Sequence, residues 1–162
     1  MSNNIQNYSP QGVLKTVKML HLAMVVAPLF FGIFILYSMN DYSFEITDFE
    51  DPLVYAIPIV AVLGFVASNY LYKMYITQLQ KKETLKEKLT GYLSAVIMGY
   101  APLEGAALLA MVGAYLTQSL LFFTIGALLV AYMIFRRPKK VAIEQDLKLT
   151  MEQRDQLNRN QR

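Results

Sequence analysis

The chain contains no cysteine and no tryptophan, and it has a single histidine. Without cysteine there is no disulfide, no thiolate metal site and no cysteine nucleophile. No Walker, GxSxG, HExxH or dinucleotide-binding pattern occurs, so the sequence offers no catalytic residues and an enzyme is not expected. No cofactor or metal site is expected either. The acids of "MNDYSFEITDFEDP" (39–52) lack the spacing of a calcium loop and read as a solvated segment. Charge is missing in a more informative way. Four runs, 19–38, 53–72, 93–113 and 119–135, hold no lysine or arginine. Apart from tyrosines, only His21 and Glu104 can ionise within them.

Apolar residues fill those runs and make up 55% of the 162 residues, against roughly 45–50% in an ordinary soluble domain. The runs span 20, 20, 21 and 17 residues. A helix crosses the ~30 Å hydrocarbon core with roughly 20 residues, and the fourth run reaches that length by borrowing Ala114–Gln118. The expected fold is all-α: a four-transmembrane-helix bundle over 1–137, followed by a cytoplasmic tail over 138–162. The first run is too long for a signal peptide and no small-x-small cleavage site follows it. It reads as a retained first helix.

Lysine and arginine set the expected orientation. Lys15 and Lys18 precede the first run, five lysines lie in "KMYITQLQKKETLKEKLT" (73–90), and "RRPKK" follows the fourth run. The two remaining loops carry none. The positive-inside rule then puts both termini and the middle loop in the cytoplasm. Tyrosine replaces tryptophan as the interfacial residue: Tyr37, Tyr42, Tyr55 and Tyr115 on the outer side, Tyr70, Tyr72, Tyr75 and Tyr92 on the inner. The net charge of +3 is a topological signal and no nucleic-acid partner is expected, because the basic residues are spread over three segments.

The first and third runs share "M…APL" in register, at Met24 and at Met98, and Gly64 and Tyr70 align with Gly126 and Tyr132. These matches suggest two parallel hairpin repeats; convergence on a proline kink is the alternative. Pro28, Pro58 and Pro102 are expected kinks, each freeing a carbonyl four residues back. The tail reads as one short amphipathic helix starting at Pro138, with Ile143, Leu147 and Met151 on one face. It is expected to lie on the membrane surface or in solvent, or else to dock a partner.

Glu104 carries the functional question. It stands two residues after Pro102 and, by helical rise, ~16 Å into its span, near the midplane. An ionised carboxylate there costs at least ~2.5–3.5 kcal/mol. With no lysine or arginine in any run, no salt bridge within one chain can form. A protonated Glu104 is expected, with Thr124 at its own depth and Tyr100 one turn earlier as candidate partners. It then serves either as a neutral interhelical hydrogen-bonding group or as a proton or cation site. Small residues around it, among them Ala106, Ala110 and Ala114, imply that it faces protein. His21, near the inner interface, is a possible pH-sensitive residue within reach of Asn69, or simply an interfacial anchor.

Two resemblances bear on these residues. "LEGAALLAMVGAYL" (103–116) resembles the outer helix of ATP-synthase rotor-ring c subunits, in which a midplane glutamate carries the translocated ion. That likeness covers about 14 of the 162 residues. The preceding helix, "IPIVAVLGFVASNYLY", lacks the glycine alternation of those subunits. Over most of the chain, "LHLAMVVAP", "LKEKL", "APLEGAALLAMVGAYLT" and "RRPKK…IEQDLKLT" look like an uncharacterised family of small four-span bacterial membrane proteins. This resemblance implies residence in the bacterial cytoplasmic (inner) membrane and assigns no activity. The leading expectation is a structural or accessory subunit that packs with itself, as a homo-oligomer, or with a membrane partner. The alternative is a proton- or cation-coupled conduit or carrier that uses Glu104 in an oligomer.

Overall fold

A computed structural model describes residues 9–40, 42–44 and 49–159. The chain is all-α: α1 (Pro10–Ser38), α2 (Leu53–Gln80), α3 (Leu85–Thr117), α4 (Leu120–Phe135), α5 (Lys140–Asp146) and α6 (Met151–Arg159). Local chemistry sets the helix starts. Ser9 accepts from the Gly12 amide and Pro10 follows it, where its missing N–H costs nothing. Thr84 and Glu87 form a capping box: Thr84 Oγ1 accepts from the Glu87 amide at 3.3 Å and donates to the Glu87 carboxylate at 2.8 Å. α3 ends at Gln118, which is left-handed (φ 53°), and Ser119 then caps α4.

α1, α2 and α3 are each long and apolar enough to cross a membrane, while α4 bends by 84° into α5 at a short break. α4 borrows nothing from its predecessor, because Ala114–Thr117 complete the last turn of α3 and the left-handed Gln118 separates the two helices. α3 is the axis of the bundle: α1, α2 and α4 all pack on it, and α1 and α2 pack on it rather than on each other. The two suggested repeat halves are therefore packed differently, since α3 and α4 are in direct contact. Half of the apolar window of α3 is buried, against 22% for α1 and for α2. Ala95, Ala107, Ala110 and Ala114 are fully buried along α3, and such small side chains let neighbouring backbones approach closely.

At two glycines the neighbouring helix presents its backbone. A Cβ on Gly64 of α2 would stand 2.8 Å from the Pro102 carbonyl oxygen and 2.8 Å from Ala106 Cβ. A Cβ on Gly126 of α4 would stand 3.0 Å from the Ala107 carbonyl oxygen. On the acidic-loop side, the Leu120 amide donates to the Ser43 carbonyl (2.8 Å) and the Asn40 amide donates to Gln118 Oε1 (2.8 Å). Asp41, Glu45 and Asp48 of that loop lie outside the described residues.

The tail departs from expectation. It neither lies free nor continues as one helix from Pro138. α5 begins two residues later and closes in a Schellman turn, with Lys148 left-handed (φ 46°), the Lys148 amide on the Gln145 carbonyl and the Leu149 amide on the Glu144 carbonyl. A second capping box, Thr150 with Gln153, starts α6. The turn takes Met151 off the apolar face, where it is 81% exposed, and folds the tail against its own chain. Ile143, Leu147, Leu149 and Leu157 join Leu79, Leu85 and Leu89 in the buried core. The tail thus covers the α2–α3 end. Gln80 Nε2 donates to the Asp146 carbonyl (2.7 Å), and Gln153 Nε2 donates to the Glu83 carbonyl (2.8 Å). Leu147→Asp is expected to release this tail, since a buried leucine contributes roughly 2–5 kcal/mol. Limited proteolysis of the variant should clip the tail rapidly, while Met151→Ala should digest like the native chain.

Candidate functional site

Glu104 sits on α3 at the border of an uncovered face. It is half-buried, its neighbours Ala101 and Gly105 are exposed, and a Cβ added at Gly105 would meet nothing within 4 Å. Within one chain small residues wrap Glu104 only in part: Ala106, Ala107 and Ala110 are buried along α3, while Ala101 and Gly105 are exposed. The two expected partners are engaged elsewhere. Thr124 is exposed on α4 and its hydroxyl donates to the Leu120 carbonyl at 2.8 Å, the usual way for threonine to satisfy itself in an apolar helix. Tyr100 is buried, but helical side chains tilt toward the helix N-terminus. Its hydroxyl accordingly runs away from Glu104 and donates to the Arg136 carbonyl at 2.6 Å. Among the described residues no hydrogen bond or ion pair reaches the Glu104 carboxyl.

His21 and Asn69 are not brought together either. The His21 ring packs edge-on against Tyr100, centroids 5.0 Å apart. Asn69 Nδ2 donates to the Phe65 carbonyl, and Asn69 Oδ1 accepts from the Tyr132 hydroxyl at 3.0 Å. Pro28, Pro58 and Pro102 all lie inside continuous helices. Beside Pro102 the carbonyl of Gly99 accepts the Ser68 hydroxyl across the α2–α3 crossing.

The structure adds a polar cluster centred on Arg136, at the end of α4. Its Nη1 donates to Ser68 Oγ at 2.9 Å, and its guanidinium lies 4.4 Å from the Tyr72 ring centroid and 6.0 Å from that of Tyr132. Tyr72 donates its one proton to Asp146 Oδ2 at 2.6 Å, because a carboxylate can only accept. Tyr92, 2.9 Å away, must then donate to Tyr72. A single arginine thereby ties α2, α3 and α4, and the tyrosine relay passes the tie on to α5. Tyr72 and Tyr92 are thus more than members of an interfacial belt. The sequence signal for the cluster is the placement of "SNYLY" and "FRRPKK" at the same end of the bundle, which allows an arginine to stack on a tyrosine of the neighbouring helix.

Among the described residues no group of three His, Cys, Asp or Glu side chains could hold a metal ion. Two cavities border α1. One, of about 370 Å³, is lined by Lys18, His21 and residues 137–140. The other, of about 250 Å³, is apolar and opens between α1 and α4. Neither includes Glu104. No protein family, curated protein or solved structure matches the chain. The length and apolarity of α1–α3, with α4 beside them, mark an all-α membrane protein.

Proposed function

We propose that the chain is a structural or accessory membrane subunit, with α1–α4 as four spans and both termini in the cytoplasm of a bacterial cell, that assembles with a second copy of itself through the uncovered face of α3. One observation carries this reading: Gly105 lies on a face that the same chain leaves open, Glu104 stands half-buried at its border, and the Glu104 carboxyl has no partner among the described residues. A carboxyl left facing hydrocarbon is costly even when protonated. A second helix closing on Gly105 supplies both a close backbone approach and a hydrogen-bonding partner. The basic ends at Lys15–Lys18, 73–90 and 136–140 support the orientation. The alternative reading is a proton- or cation-coupled conduit that uses Glu104 in an oligomer; the two cavities bordering α1 are lined by other residues.

Dissociation in detergent, followed by light scattering across a dilution series, tests the proposal. Gly105→Leu should shift the chain to monomer without loss of helicity. Glu104→Gln should still assemble, because an amide donates and accepts. Glu104→Leu should weaken assembly by about three- to thirtyfold, the value of one interhelical hydrogen bond in a bilayer. A native chain that is monomeric throughout, or a Gly105→Leu variant that assembles normally, sinks it. A Glu104→Gln variant that assembles but loses its cellular effect would move the argument to the conduit.

A further inference from the structure

We infer that the seam between α1 and α4 is a binding site for one anionic phospholipid from the leaflet at the basic end of the bundle. Three independent features converge there. The first is charge. The cavity of about 370 Å³ is lined by Lys18, Arg137, Lys139 and Lys140, with His21, and no aspartate or glutamate is among its lining residues. Lys140 directs its ammonium to the neutral Asn158 side chain. Four cations held round one hollow with no internal counter-charge call for an anion, and basic pockets beside membrane helices take lipid phosphates.

The second feature is an unpaired donor. His21 Nδ1 is buried and has no hydrogen-bond partner among the described residues. His21 itself lines the hollow, and either imidazole nitrogen can carry the proton, so the ring presents an N–H to a phosphate oxygen once it turns toward the hollow. The third is an apolar slot further along the same α1–α4 seam. The cavity of about 250 Å³ is lined by Leu29 and Ile33 of α1, Phe123, Ala127 and Ile134 of α4, and Met111 of α3. It opens three residues from Arg137 on α4. On α1, Leu29 lies ~16 Å beyond Lys18, about half the thickness of the hydrocarbon core. A chain descending from a headgroup between Lys18 and Arg137 therefore reaches the slot at the depth where one leaflet ends. Free phosphate would leave that slot empty, so a lipid is the occupant that uses both cavities.

This inference requires that the helices lie in a bilayer. It is independent of any pairing through Glu104, and assembly state and lipid binding are separate readouts. The test uses the full chain in mild detergent. Dioleoyl phosphatidylglycerol, dioleoyl phosphatidylcholine and inorganic phosphate are titrated separately, with bound lipid counted by native mass spectrometry and the melting temperature followed in parallel. Phosphatidylglycerol should be retained at least about tenfold better than phosphatidylcholine, and it alone should raise the melting temperature. Lys18→Gln/Lys139→Gln, both at exposed positions, should lower the phosphatidylglycerol affinity by about 25-fold, roughly fivefold for each cation removed near the surface. The charge-matched Lys81→Gln/Lys82→Gln control should bind as the native chain does. Equal retention of the two lipids, an equal loss in the control, or a melting shift reproduced by inorganic phosphate would each overturn the inference.

Discussion

Gly64→Leu is expected to cost the bundle about 3 kcal/mol or more and, in cells, to remove most of the folded protein. Overpacking a core typically costs roughly 1–3 kcal/mol because side chains rotate out of the way. At Gly64 the obstruction includes a backbone atom: the Pro102 carbonyl oxygen stands 2.8 Å from where Cβ would be. That carbonyl belongs to the helix on which every other span packs, so α2 must move away as a body. The Ser68–Gly99 hydrogen bond, one turn along the same crossing, would part with it. Gly105→Leu is the matched control, identical in chemistry and on the same pair of helices, but pointing into open space. In dilute detergent it should change stability by less than about 0.5 kcal/mol. Unfolding of both variants in mixed micelles, followed by circular dichroism, decides the matter. Equal stability of the two would refute the crossing as described.

Arg136→Gln is expected to destabilise the chain by about 2–4 kcal/mol and to loosen the tail. The guanidinium makes a charge-assisted hydrogen bond to Ser68, worth roughly 1.5–3 kcal/mol. Its stacking on Tyr72 adds roughly 0.5–2 kcal/mol. Glutamine retains the backbone carbonyl that accepts from Tyr100, so the measured loss isolates the side chain. Ser68→Ala in the Arg136→Gln background should add less than Ser68→Ala alone, since both remove the Arg136–Ser68 contact while the Ser68–Gly99 bond is lost in either background. Arg137→Gln, next in sequence but exposed, should be nearly neutral. Three cations, Arg137, Lys139 and Lys140, remain beside the span to hold its orientation. Full additivity of Ser68→Ala and Arg136→Gln would show that the pair is not coupled.

What the residues make legible is what the bilayer itself selects. The runs at 19–38, 53–72 and 93–113 correspond to α1, α2 and α3 because uninterrupted apolarity of that length matches the hydrocarbon thickness. Which way each helix faces is harder to read. A span that is apolar all round carries no contrast between core and lipid, so the turn of Thr124 outward and of Tyr100 toward Arg136 has no hydrophobic signature. Small residues decide the faces instead. The stretch around Glu104 is rich in them on every side, and only packing shows that 106, 107 and 110 are buried while 105 is not. In the tail, a spacing of four from Ile143 through Met151 holds only for an unbroken helix, and Lys148 breaks it. The Thr150–Gln153 capping box is legible and points to a new start.

That α1 and α2 rest on α3, and not on each other, bears on how the molecule is made. Spans enter the membrane in the order of their synthesis, as stable helices that associate afterwards. A nascent chain that has delivered only α1 and α2 lacks the helix on which both mainly pack. Association begins with the arrival of α3, which presents its alanine faces to both at once. α4 then closes on the same helix, and the following α5 and α6 cover Leu79, Leu85 and Leu89 at the α2–α3 turn. Chains truncated before residue 85 should therefore behave in the membrane as free single spans, open to proteolytic clearance, while chains cut at residue 137 should assemble their spans yet expose an apolar end for chaperones to recognise.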